Sequence, residues 1–120
     1  MTALDRLRDI CTALPEVDER LNHGEPSWTV RRRAFATYTE RFHQRPDLWC
    51  PAPPGAREAL LATERDRYFE PRFGGRAWIG IRLDGDPDWQ QVTEHVHEAY
   101  LLVAPQRLAA ELPPLRPRAR

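Results

Sequence analysis

A chain of 120 residues, 41% of them apolar, has the size of one domain. It can bury roughly 65% of its unfolded surface, enough for a core without metal or disulfides. Its 18 basic and 18 acidic residues cancel, which argues against nucleic-acid binding driven by bulk charge alone.

The balance hides an asymmetry. Residues 1–25 hold six acids and three arginines, residues 26–82 eleven arginines and six acids, and residues 83–112 six acids and one arginine. A basic middle is set between acidic flanks. Every basic residue is arginine. Arginine suits bidentate phosphate contacts, but a bias covering the whole chain is explained by a GC-rich coding sequence alone. Cys11 and Cys50 lie far apart, without CxxC spacing. They read as free thiols, and a reducing cytoplasm is the expected setting. No apolar run approaches the roughly 18 residues of a membrane span, and no signal-peptide core is visible.

In chain order, residues 2–13 predict a helix. Leu4, Leu7, Cys11 and Leu14 fall at helical spacing, with Ile10 beside them. Thr2 or Asp5 caps its start and Pro15 stops it. Residues 16–22 read as an exposed strand leading to the turn His23-Gly24-Glu25-Pro26. A hairpin follows, with Ser27–Val30 leading up and Ala34–Phe42 leading down. Its tip is Arg31-Arg32-Arg33, which lacks the Asn-Gly of a tight two-residue turn. Residues 44–47 are a second turn and Leu48–Cys50 a short strand. Pro51-Ala52-Pro53-Pro54 then interrupts regular structure up to Gly55.

Residues 56–64 predict a second helix packing Ala59, Leu60 and Ala62. Residues 68–73 look irregular or edge-like, and Gly74-Gly75 is a turn. Residues 77–83 give the clearest strand, with Ala77, Ile79, Ile81 and Leu83 on one face and Trp78, Gly80 and Arg82 on the other. The last helix starts after Pro87, capped by Asp88 with Gln91. Trp89, Val92, Val96, Tyr100 and Val103 form its apolar stripe, and Pro105 breaks it. This order predicts a single α+β domain over residues 1–112: an antiparallel sheet with helices on one face. The tail 113–120, rich in Pro and Arg, is expected to be disordered.

Catalytic spacings are absent from the sequence. His23, His43, His95 and His97 form no HxxxH or HExxH pattern, so no metal or cofactor is expected. The one serine, Ser27, is in no GxSxG elbow, and Cys50 has no basic neighbour to lower its pKa. The carboxylates fall at turns and helix starts, where they cap backbone N–H groups. Gly74-Gly75 lacks the strand and helix of a phosphate loop. The reading is therefore of a non-enzyme. The strongest chemical pattern is arginine beside aromatics: Arg31, Arg32 and Arg33 at the hairpin tip, and Arg72 and Arg76 around Phe73 and Trp78. Arginine pairs phosphates, and exposed aromatics stack on bases.

The ordered landmarks LPEVDER, HGEPSWTVRRRAFA, LWCPAPPGAREALLA, YFEPRFGGRAWIGIRLDGDPDW and EAYLLVAPQRLAAEL together resemble the MmcQ/YjbR-like family of small bacterial proteins. The likeness covers about residues 3–112. Its carriers include His23, Gly24, Pro26, Trp28, Phe35, Pro54, Gly55, Trp78, Gly80 and Trp89. The resemblance implies a compact α+β fold, similar in outline to CyaY-like and secretion-chaperone-like domains. It also implies DNA binding through wing-like hairpins, a role proposed for the family. The chain departs from the family in using Arg where most members have Lys.

Two functions are therefore expected. The first is a DNA-binding module that grips phosphates with Arg31, Arg32, Arg33, Arg72 and Arg76. The second is a non-catalytic, chaperone-like domain that docks a protein partner or small ligand in an aromatic groove of Trp28, Trp49 and Trp78. The acidic last helix would then help select a basic partner. Either would work as a monomer or weak homodimer.

Overall fold

The computed structural model describes residues 1–112; the expected tail disorder lies outside them. The elements run α1 (Ala3–Thr12), β1 (Val17–Asn22), β2 (Glu25–Val30), β3 (Arg33–Thr39), β4 (Asp47–Pro51), α2 (Ala56–Thr63), β5 (Tyr68–Phe69), a 3-10 turn at Gly75–Ala77, β6 (Trp78–Arg82), α3 (Trp89–Val103) and α4 (Gln106–Ala109). The strands form one antiparallel sheet in the order β1-β2-β3-β4-β6-β5. Helix α3 packs on β3 and β4, and α1 packs on β1 and α3. The fold is α+β, as the order of elements predicts.

The helix starts follow their sequence signals. Thr2 Oγ1 accepts from the Asp5 N–H at 3.0 Å, and the Asp5 carboxylate accepts from the Thr2 N–H at 3.1 Å, a reciprocal cap. Asp88 accepts from the N–H groups of Gln90 and Gln91. Leu7 and Cys11 of α1 meet Val92, Val96, Ala99 and Tyr100 of α3 in one core.

Both N-terminal hairpins close with two residues at positive φ. His23 and Gly24 (53° and 82°) link the pair Asn22–Glu25, and Arg31 and Arg32 (50° and 67°) link Val30–Arg33. This is the turn whose twist matches its strands. Gly24 adopts it freely. The two arginines hold left-handed conformations that cost roughly 1–2 kcal/mol each. The tip is thus a tight turn in spite of its sequence.

A register shift explains the Phe35-Ala36 pair. Trp28 pairs with Ala36 and Thr29 with Ala34, leaving Phe35 as an extra residue. The bulge breaks the alternation, so Phe35 and Ala36 are both fully buried. Phe35 meets Tyr100 edge to face, with ring centres 5.4 Å apart.

Four sequence expectations are corrected. Strand β3 ends at Thr39, not Phe42, because the chain turns back over the sheet. Pro51 still pairs, with Trp78, so the proline run interrupts the sheet later than expected. Ala77 belongs to the 3-10 turn rather than to β6. Helix α2 exposes Ala59 and Ala62. It buries Arg57, whose Nε–H donates to the Trp78 carbonyl at 2.8 Å.

Candidate functional site

The pleat assigns each strand residue a face. One cross-strand row, Tyr38–Leu48–Ile81–Tyr68, belongs to the core. The adjacent rows, Ser27–Thr37–Trp49–Gly80–Phe69 and Thr39–Asp47–Arg82, face the other way, where none of the helices among the described residues packs. Over that face the chain folds two aromatic side chains. Phe42, from the loop after β3, stacks on Trp49 with centres 5.0 Å apart and planes 23° apart. Phe73, 61% exposed, stands 6.0 Å from Phe42 and 6.3 Å from Trp49. Together with Trp78, Thr37 and Thr39 they line a groove of about 270 Å³.

The groove's polar groups differ in what they have left to offer. Glu25 is already engaged: it accepts from the Thr39 hydroxyl at 2.6 Å and the Glu40 N–H at 2.7 Å. Trp49 is 95% buried, and its indole Nε1 has no hydrogen-bond partner among the described residues. A buried donor left unmade costs about 1–3 kcal/mol, a cost carried by a residue that lines the groove.

The sequence-selected residues separate in space. Trp78 lines the groove, as expected, but Trp28 does not. Trp28 is fully buried on the helix side, because its partner Ala36 shares that face. His23 and Gly24 form the β1–β2 turn, and His23 reaches the groove's rim. Pro26 lies in β2 opposite Leu21. Pro54 leads into Gly55, whose φ of 86° turns the chain into α2. Trp89 begins α3 under the Arg6 guanidinium, 5.4 Å away. Gly80 lies beneath the Phe69 ring.

The arginines do not form one patch. Arg31 Nε donates to Glu16 at 3.0 Å, and Arg107 meets the same carboxylate at 3.3 Å. These bonds, Arg31's first, hold Glu16 below the usual carboxylate range. Arg32, Arg33 and Arg76 are exposed and make no ion pair among the described residues. The starts of β3 and β6 flank the end of β4. Arg33 and Arg76 therefore lie toward the same end of the sheet. Arg72 instead lies over Phe42 on the helix-free face.

Burial pushes the Cys50 thiol up to about 12 and also raises Cys11. Cys50 lies in the core, away from His23 on the groove's rim. Among the described residues, no three His, Cys, Asp or Glu side chains gather as metal ligands, and no helix is long and apolar enough to cross a membrane.

Sequence reading missed Phe42, Arg41, His43 and Asp47. Asp47 is fully buried, and its Oδ2 lies 2.5 Å from His43 Nδ1. The one available signal was their spacing of four across the Pro46 turn.

Comparison with known proteins places the chain. A structure search finds the crystal structure of Deinococcus radiodurans protein DR2400, with a DUF419 domain. It is 20% identical with a TM-score of 0.75, covering 90% of this chain and 86% of that one. This shows a shared fold. No curated protein gives a significant match. The YjbR family model matches residues 12–102, a span from the end of α1 to the end of α3 that includes the sheet and its groove, and the chain therefore belongs to the YjbR family.

Proposed function

We propose that the helix-free face of this domain binds a small, flat ligand. One observation carries the reading: four aromatic side chains, Phe42, Trp49, Phe73 and Trp78, line one groove on that face. Phe42, Phe73 and Trp78 supply stacking surface around the buried Trp49 ring. A volume of about 270 Å³ suits a ligand of one or two rings, just under the usual range for drug-sized molecules.

The fluorescent dye 1-naphthalenesulfonate tests this, since it joins two fused, flat rings to an anion. The folded protein is expected to bind it saturably, one to one. Phe73→Ala is expected to weaken binding about fivefold or more, the worth of one stacking contact. Phe73 is mostly exposed, so the substitution spares the core. Absent saturation, or equal affinity in the variant, sinks the proposal.

A second reading is favoured by the hairpin tip. Residues 33–36 pair with β2 alone, before β3 meets β4 at Thr37. Arg32 and Arg33 thus stand beyond the β4 pairing, without counter-ions among the described residues, toward the same end of the sheet as Arg76. Three phosphate contacts predict that log affinity for a generic duplex falls with log salt at a slope near −3, using about −0.9 per contact. Replacing Arg32, Arg33 and Arg76 with Ala should flatten that slope in fluorescence anisotropy. No duplex binding at low salt rejects this reading.

A further inference from the structure

The loop that carries Phe42 over the sheet also walls a second cleft, of about 470 Å³, beside the groove. Phe42 and Trp49 line both. Two guanidiniums converge there on one ring: Arg41 lies 4.9 Å and Arg72 5.5 Å from the centre of Phe42. Arg72 has no ion pair among the described residues. Arg41 is 3.9 Å from Glu25, whose oxygens already accept two shorter hydrogen bonds. Glu70, at the rim, lies 3.7 Å from the buried Arg57. Two guanidiniums on one ring, with no carboxylate nearer to either than 3.9 Å among the described residues, make the cleft electropositive, and an anion there is favoured.

A third group is fixed in place beside them, one that donates to a ligand when its imidazole carries both protons. His43 lines the same cleft. Its ring stands edge-on to Phe69 at 4.8 Å, and its Nδ1 is bound by the fully buried Asp47. Asp47 orients the imidazole and leaves Nε2 as the nitrogen for a ligand. Burial raises the Asp47 carboxyl pKa against the pull of His43, and its Oδ1 has no partner among the described residues. The pair therefore sits on the helix-free face at an energetic cost to the fold.

We infer that Arg41, Arg72 and His43 form a phosphate subsite, with Asp47 as positioning residue, for a phosphomonoester whose flat ring occupies the adjoining groove. This deepens the small-ligand reading and rests on it. Two guanidiniums and an imidazole match a dianion with three accepting oxygens better than a carboxylate with two. The shared Phe42–Trp49 wall sets ring and phosphate side by side.

Indole N–H resonances of the intact chain report binding of three probes: phenyl phosphate, phenol and inorganic phosphate. Phenyl phosphate is expected to bind at least tenfold more tightly than either of the others. Arg72→Ala should remove most of its advantage over phenol and leave phenol binding unchanged. Arg72 is exposed and unpaired, so this variant should fold. His43→Gln, which keeps a donor but loses the imidazole, should give an intermediate loss. Equal affinity for phenyl phosphate and phenol overturns the subsite and leaves the groove standing. So does an advantage that survives both variants. Phenyl phosphate binding no better than inorganic phosphate overturns the aryl-ester assignment together with the groove. No response to any probe overturns both.

Discussion

Trp28→Ala is expected to lower stability by about 4 kcal/mol, the usual cost of removing a fully buried aromatic. Trp28 has no exposed surface and sits between the bulge and the helices. Its indole N–H donates to Glu19 at 3.0 Å, and Arg8 grips the same carboxylate at 2.8 and 3.1 Å. One side chain thus ties β2 to β1 and, through Glu19, to α1. The loss leaves a cavity where Val30, Phe35 and Ala36 cannot close in, and it frees Glu19 from one of its donors. Against a total of 5–15 kcal/mol for a domain, this is a large share. Urea denaturation measures it as a lower midpoint with little change in slope. Trp28→Phe separates the two contributions: it keeps most of the packing and loses the hydrogen bond, for about 1–2 kcal/mol. A Trp28→Ala cost below about 2 kcal/mol would mean that the core collapses around the gap. Because Trp28 faces the helices, Trp28→Phe is also expected to leave dye binding at the groove unchanged. That assigns three of the chain's four tryptophans to two jobs, with Trp28 holding the fold and Trp49 and Trp78 lining the groove.

Helices α1 and α3 were legible because their burial obeys one period. Leu7 and Cys11, then Val92, Val96 and Tyr100, fall on stripes that the structure buries as spaced. Strand β6 was legible for the same reason, through Ile79 and Ile81. The failures come where long-range contacts override local pattern. Phe35-Ala36 reads as an apolar run, and only the pairing with β2 shows a bulge. Phe42 continues a strand-like alternation, yet the loop carries it back onto Trp49. The second helix reads as packing Ala59 and Ala62, but the Trp78 carbonyl takes the Arg57 guanidinium into the interior instead. Trp28 and Trp78 look equivalent in sequence, and strand register puts them on opposite sides of the sheet. The candidate site suffered most, since each part of it comes from a different segment. Nothing near His43 in sequence announces that Asp47 will be buried beneath it, or that Arg72 will arrive over Phe42 from the far side of α2.

Gly80→Ala is expected to cost about 1–3 kcal/mol, the penalty for overfilling a packed site, with its damage concentrated at one edge of the sheet. Gly80 has no positive φ, unlike the glycines of the turns. Its requirement is space. A Cβ there would lie 2.3 Å from Cε2, 2.4 Å from Cζ and 2.7 Å from Cδ2 of Phe69, well inside van der Waals contact. The Phe69 ring has little freedom to move aside, with His43 edge-on to it and the Arg82 guanidinium 5.1 Å from its centre. Strand β5 is only two residues long, so displacing Phe69 should detach it from β6. Hydrogen exchange then reports faster exchange at Arg82, whose N–H donates to the Arg67 carbonyl at 2.9 Å, while α1 and β2 stay protected. Gly24→Ala is the contrast: nothing lies within 4 Å of its Cβ, and it pays only for its positive φ. Phe69→Ala in the Gly80→Ala background should recover part of the loss, because the added methyl then fills the vacated space; the double-mutant cycle measures that coupling. Full additivity of the two changes would show that the ring moves away freely. The same displacement strips His43 of its aromatic support, so Gly80→Ala should weaken phenyl phosphate binding more than phenol binding without touching a single donor of the proposed subsite.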